Sequence, residues 1–284
     1  PRPGRRPTPN IFPAMIRHLT LLLATMLTVC LSSRAAVSDT LLIESSHLAT
    51  PMKVTVVVPE ASRSDASLRF PTVYLLNGYG GDYRAWGRLR PDMGDLADRY
   101  GMVIVMPDGR DSWYWDSKPG MEMESFFVED LVPTIDRKLP TKAEASKRAI
   151  SGLSMGGHGA LWLGMRHSDI WGSAASMSGG VDIRPFANRW KMKSLIGEKD
   201  KNPQAWEDHT VINLVPALQP GQLNILFDCG TEDFFAEVNE NLHRALLDAK
   251  IPHDYISRPG NHSGKYWANS VLYHLLFFNE IFTH

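Results

Sequence analysis

Cysteine is almost absent, with only Cys30 and Cys229 in 284 residues. At most one disulfide could form, and none if Cys30 leaves with a leader, so the fold must rest on a buried core. An excess of charge of one sign is also lacking: 30 Lys and Arg stand against 31 Asp and Glu. There is therefore no basic surplus of the kind that nucleic-acid binding needs. No internal repeat, low-complexity interior or linker breaks the chain. Its 43% hydrophobic and 21% charged residues exclude the disordered and membrane classes and fit one large globular domain.

The first residues stand apart. Residues 1–14 hold five prolines and three arginines and do not begin with Met, which suits neither a helix nor a core. They are read as a non-native or upstream segment. From Met15, Arg17 and His18 lead into the apolar run Leu19 to Leu31, too short to span a bilayer comfortably. Ser33-Arg34-Ala35-Ala36 then offers small residues for cleavage. The pattern predicts a signal peptide over 15–36, one domain over 37–284, and export to a periplasm or exterior. Cys30 raises a lipoprotein variant, but Val29 before it is bulkier than such a site prefers. Residues 1–36 carry five arginines and no acid, which leaves 25 basic against 31 acidic residues and a formal charge of −6.

Along the remainder, apolar runs alternate with helix-compatible segments. Met52 to Val58 reads as an early strand, and Glu60 to Ser67 as a hairpin-like connection to the next. Buried parallel strands are expected at Thr72–Leu76 and Met102–Met106, a short strand at Arg148–Ser151, and further strands at Ser173–Met177, Asn224–Phe227 and Asp254–Ser257. Helices are expected at 93–100, 124–139, 235–249 and 266–281. In the second of these Phe127, Leu131, Ile135 and Leu139 form an apolar face, and Pro133 starts or kinks the helix. The alternation implies an α/β fold, a mainly parallel sheet covered on both faces. Its sites should lie in loops beyond the carboxyl ends of the strands.

Gly152-Leu153-Ser154-Met155-Gly156 matches G-x-S-x-G between a strand and the small-residue start of a helix. Glycines at 152 and 156 let a tight turn close and push the Ser154 hydroxyl outward, with the helix N-terminus behind it. Ser178 is the rival, but it lacks a glycine two positions earlier and has no clear helix after it. A serine nucleophile needs an imidazole base, and the imidazole needs a carboxylate. Of the histidines after His158, only His262 lies in a loop directly following a strand. His167 and His209 precede the acid strand, His253 precedes its own strand, and His243 and His274 fall in helix patterns. The acid candidates past the strand are Glu232 and Asp233, with Asp233 the better placed to point inward. Its bland alternative role is to cap the next helix. Cys229 has no histidine suitably arranged for thiol chemistry and is read as a core residue.

Two backbone donors are expected to face the developing oxyanion: Met155, after the nucleophile, and Tyr79, in the loop Asn77 to Gly81. The lysine and hydroxyl of a phosphate-binding loop are absent there. Trp113, Tyr114 and Trp190 are candidate substrate-binding residues, although core packing accounts for many aromatics in a fold of this size. No metal site and no cofactor is expected.

Taken together, these motifs resemble the esterase D-like branch of the α/β-hydrolases. That branch includes S-formylglutathione hydrolases, feruloyl and acetyl xylan esterases, tributyrin esterases and mycolyltransferases. The resemblance runs from about Met52 to the C-terminus. It rests on Leu76-Asn77-Gly78-Tyr79-Gly80-Gly81, Asp108-Gly109 with Ser112-Trp113-Tyr114, Gly152 to Gly157, Gly230-Thr231-Glu232-Asp233 and Pro259-Gly260-Asn261-His262. It implies a triad of Ser154, Asp233 and His262 with Tyr79 and Met155 as oxyanion donors. Asn77 departs from the histidine common before that glycine. The resemblance points to a short-chain or carbohydrate-linked ester as substrate, closest to the exported tributyrin and feruloyl esterases. An acyltransferase of the same fold and a catalytically silent polysaccharide-binding module are the alternatives.

Overall fold

Ten strands are laid out in chain order in a computed structural model that describes residues 36–284 and, before them, Gly4. The expected upstream segment and signal peptide fall, Gly4 and Ala36 apart, outside the described residues. The strands are β1 Val37–Ile43, β2 Met52–Val58, β3 Thr72–Leu76, β4 Val103–Pro107, β5 Asp116–Lys118, β6 Met121–Glu122, β7 Arg148–Leu153, β8 Ser173–Met177, β9 Asn224–Gly230 and β10 Asp254–Arg258. β5 and β6 form a small separate ribbon, and the other eight make one sheet in the order β1-β2-β4-β3-β7-β8-β9-β10. From β4 to β10 the pairs are parallel, while β2 runs antiparallel to both β1 and β4.

Both faces of β3, β4, β7 and β8 are buried, which explains the apolar runs of β3 and β4, whereas the edge strand β10 is only partly buried. Along β3, Tyr74 and Leu76 join one core cluster, while Val73 and Leu75 join the other. Helices α1 Ala85–Leu89, α2 Met93–Tyr100 and α6 Gly264–Thr283 cover the second face with Trp86, Leu96, Leu275 and Phe278. The first face is covered by α3 Val132–Lys138, α4 Met155–Arg166 and α5 Ala236–Asp248, with Ile135, Leu161 and Leu242.

The hairpin expected between β2 and β3 does not form. The segment forms the helical turn Ala61–Ser64 instead, and β4 lies between the two strands. β2 makes its hairpin with β1, Val37 pairing with Val58 and Ile43 with Met52. The expected helix over 124–139 also has an irregularity. Its stretch Phe126–Leu131 is a π-helix that runs into α3, where Pro133 occupies the first turn. Within this continuous stretch Pro133 has no N–H to give to the preceding turn, and the wider π-helical turn falls immediately before it. Phe127, Leu131 and Ile135 are buried, whereas Leu139 lies past the helix end and is half-buried.

β4 lies on one side of β3 and β7 on the other, so the chain leaves β3 and β7 in diverging directions. Open parallel sheets place ligands in the crevice created by such a reversal. Below it, a buried polar network ties the strands together. The Ser151 hydroxyl meets His274 Nδ1 at 2.8 Å, and His274 Nε2 meets Asp228 at 3.1 Å. Ser270 donates to the other Asp228 oxygen at 2.9 Å. Ser151, Asp228, Ser270 and His274 are all fully enclosed, so the network joins β7, β9 and α6 without reaching substrate. A buried charge that loses its partner is strongly destabilising. His274→Leu should lower unfolding free energy by about 3–5 kcal/mol, read as a reduced midpoint in urea denaturation; an unchanged midpoint would remove the network from the account of stability.

Candidate active site

Ser154 sits between β7 and α4 with φ 56° and ψ −116°, outside the comfortable range of a non-glycine residue. Its neighbours explain how the turn closes. A Cβ on Gly152 would lie 2.3 Å from the Gly156 carbonyl oxygen, and one on Gly156 would lie 2.5 Å from the Leu76 carbonyl oxygen. Only hydrogen fits at either position. The turn is thus pressed against the end of β3, and the serine side chain is turned away from the backbone.

The predicted base and acid meet it there. His262 Nε2 is 2.9 Å from Ser154 Oγ, and its Nδ1 is 2.9 and 3.0 Å from the two Asp233 carboxylate oxygens. Nδ1 donates to the carboxylate, which leaves Nε2 as the acceptor facing the hydroxyl. The Asp233 side chain is fully buried and that of His262 is 16% exposed, so the carboxylate faces the imidazole rather than water. Glu232, the competing acid, is exposed. Asp233 also accepts the Phe235 N–H at 2.9 Å, so one carboxylate both orients the imidazole and anchors the turn into α5. Ser178 is buried at the end of β8 and does not enter the group.

The loop after β3 is held in place by Asn77. Its side-chain N–H donates to the Gly78 carbonyl at 2.9 Å, and its Oδ1 accepts the Gly109 N–H at 2.8 Å. Its backbone carbonyl accepts the Tyr114 hydroxyl at 2.9 Å. The Met155 N–H lies at the start of α4, where helix geometry supplies no intrahelical partner. Tyr79 lines the same cleft as Ser154.

Of the three aromatics expected to touch substrate, only Trp190 lines the cleft. Trp113 and Tyr114 are buried, 1% and 0% exposed, and both have positive φ angles that turn the loop beneath the site. Tyr114 serves as a strut for Asn77. Trp113 lies under Trp190, 5.9 Å away, and edge-on to His158. His158 accepts from Trp115 and donates to the Gly180 carbonyl, each at 2.9 Å, and burial pushes its pKa down to about 3. It is therefore a neutral packing residue. Burial also pushes the Cys229 thiol up, which keeps it protonated and unreactive.

The cleft has a volume of about 630 Å³. Residues that sequence patterns did not reveal also line it, among them Arg88, Arg189, Phe234 and Trp267. Phe234 lies 4.2 Å from the His262 ring and is 51% exposed. Trp267 packs edge-on to the same ring at 4.8 Å. Their only sequence signal is adjacency, one just after Asp233 and the other five residues after His262. Among the described residues no cluster of three His, Cys, Asp or Glu side chains could hold a metal ion, and no helix is long and apolar enough to cross a membrane.

Comparison with known proteins agrees with this architecture. The chain is 28% identical over 215 residues to an acetyl esterase of Caldicellulosiruptor saccharolyticus, covering 70% of this chain and 80% of the relative. It is 29% identical over 241 residues to the esterase Rv1288 of Mycobacterium tuberculosis, covering 74% of this chain but only 52% of that protein, about half its length. A solved ferulic acid esterase superposes with a TM-score of 0.74 at 27% identity, covering 87% of this chain and 98% of the other. The family described as "Putative esterase" matches residues 45–278. This α/β-hydrolase therefore belongs to that family and is a hydrolase of the esterase type.

Proposed function

We propose that the protein is a serine carboxylesterase acting on short-chain or carbohydrate-linked acyl esters through a covalent acyl-enzyme. The observation that carries this reading is the unbroken contact from Ser154 through His262 to Asp233. His262 Nε2 takes the Ser154 proton as Oγ attacks the ester carbonyl carbon, and the Asp233 carboxylate stabilises the resulting imidazolium. Negative charge on the carbonyl oxygen is met by the N–H groups of Met155 and Tyr79. Collapse of the intermediate expels the alcohol, which takes its proton from His262 Nε2. Water, activated by the same imidazole, then releases the acid and restores Ser154. No cofactor enters any step.

The buried positions of Trp113, Trp115 and Trp206 weigh against a silent polysaccharide-binding module, because stacking on sugars needs exposed faces. An acyltransferase would use the same acyl-enzyme with an alcohol in place of water. The apolar run before residue 36 supports an exported enzyme, and the likeness to an acetyl esterase and a ferulic acid esterase supports short-chain or carbohydrate-linked acyl esters as substrates.

Ser154→Ala should lower kcat for 4-nitrophenyl butyrate by at least about 10⁴-fold, with the circular dichroism spectrum unchanged; retention of the full rate would end the mechanism. The two acids are separated by their amides. Asp233→Asn should lower kcat by about 10³–10⁴-fold, whereas Glu232→Gln should stay within about twofold of the parent. The reverse order would move the orienting role to Glu232. Asn77→Ala should reduce kcat about tenfold or more with little change in KM, because it loosens a loop whose N–H acts on the transition state. An effect confined to KM would place Asn77 in ground-state binding instead.

A further inference from the structure

The cleft at Ser154 is lined by two arginines and by no carboxylate side chain. This is unexpected against the −6 formal charge of residues 37–284. Attack on a neutral ester does not call for a guanidinium, since backbone N–H groups meet the oxyanion. The two cations are not equivalent. Arg88, on α1, shares its charge with Asp82 at 2.9 Å, and Asp82 also meets Arg84 at 3.0 Å. Arg189 has no carboxylate partner among the described residues, and its planar fork is suited to a bidentate contact with one.

The backbone around Arg189 is specially shaped. Trp190 and Lys191, the next two residues, both lie in the left-handed region with φ 48° and 56°. Consecutive non-glycine residues held this way are uncommon and gather at ligand clamps, where the surroundings enforce them. Here the enforcement is aromatic. Trp190 stacks on Phe234 at 5.8 Å and packs against Phe235 at 5.4 Å, while the Arg189 N–H donates to the Phe186 carbonyl at 2.9 Å. The loop is thereby fixed with Arg189 and Trp190 together at the cleft.

We infer that the cleft selects esters bearing a carboxylate on their acyl or alcohol part, with Arg189 binding the carboxylate and Arg88 reinforcing the local positive potential. One unshared guanidinium beside one shared with Asp82 matches a monoanion better than a phosphate dianion. The apolar faces of Trp190, Phe234 and Trp267 would hold the body of the substrate between that charge and Ser154. This inference rests on the esterase reading above and names its substrate class.

Two matched pairs of substrates distinguish the acyl from the alcohol side. The first is 4-nitrophenyl hydrogen adipate against 4-nitrophenyl hexanoate, and the second is 4-acetoxybenzoate against 4-acetoxybenzamide. Comparing the anionic-to-neutral ratio of kcat/KM between parent and variant cancels the intrinsic reactivity of each ester. In at least one pair Arg189→Gln should lower that ratio about three- to tenfold. Arg88→Gln should lower it less, and Arg189→Lys should restore part of it. The ratio in the parent should also fall as salt is raised. Ratios that are the same in the parent and all three variants for both pairs would overturn the inference. Failure to hydrolyse the neutral esters would instead overturn the esterase reading. Binding of 4-hydroxybenzoate and of adipate, followed by tryptophan fluorescence, tests the arginine without turnover: weakening of either in Arg189→Gln supports the assignment and unchanged affinity for both refutes it.

Discussion

The contact on which the rest of the site depends is the backbone packing of Gly152 and Gly156 against each other and against the end of β3. With hydrogen alone at both positions, the turn comes within van der Waals reach of the Leu76 carbonyl, and Ser154 is forced into a left-handed conformation. Three consequences follow from that one constraint. The hydroxyl projects from the carboxyl edge of the sheet, and the first N–H groups of α4 face the same space. The loop beginning at Asn77 is brought alongside, so the predicted donors Tyr79 and Met155 come from elements fixed to one another. Any side chain at 152 or 156 would part β3 from β7, and the candidate nucleophile would separate from its surroundings before losing any chemical group of its own.

Around that turn, the fold uses buried polar contacts where apolar packing alone would not fix position. Asn77 bridges the loops after β3 and β4, and Tyr114 braces it from below. Asp228, His274, Ser151 and Ser270 join the strand before the nucleophile, the strand before the acid and the helix after the histidine. A second Ser, His and Asp contact chain therefore lies within the core, identical in residue types to the one at the cleft and closed to solvent. Environment separates their roles: the accessible set can meet an ester, and the enclosed set can only hold strands together.

Much of this was legible in the chain. The strands Thr72–Leu76 and Val103–Pro107 are plain in the sequence because burial on both faces leaves no polar alternation, and Ser154 because its flanking glycines are demanded by sterics. The edge strand Val37–Ile43 was missed for the opposite reason. It is largely exposed, so Ser38, Asp39 and Thr40 carry no apolar signal. Asp233 and Glu232 were nearly equivalent in sequence, since adjacent side chains in a turn diverge only once the turn is folded. Trp113 and Tyr114 were expected at the substrate, yet positive φ angles set by the tertiary fold carry them underneath. Arg189 could not be found at all, because residues 181–223 form short helices and irregular loops with no period to read.

The central claim is that Ser154 is a nucleophile made reactive by its neighbours rather than one hydroxyl among many. Covalent capture addresses it most directly. Incubating the protein with a fluorophosphonate at neutral pH and mapping the adduct by peptide mass spectrometry should give one modification, on Ser154, at a rate that collapses when His262 is replaced by Gln. Modification of another serine, or equal labelling with and without His262, would contradict the account.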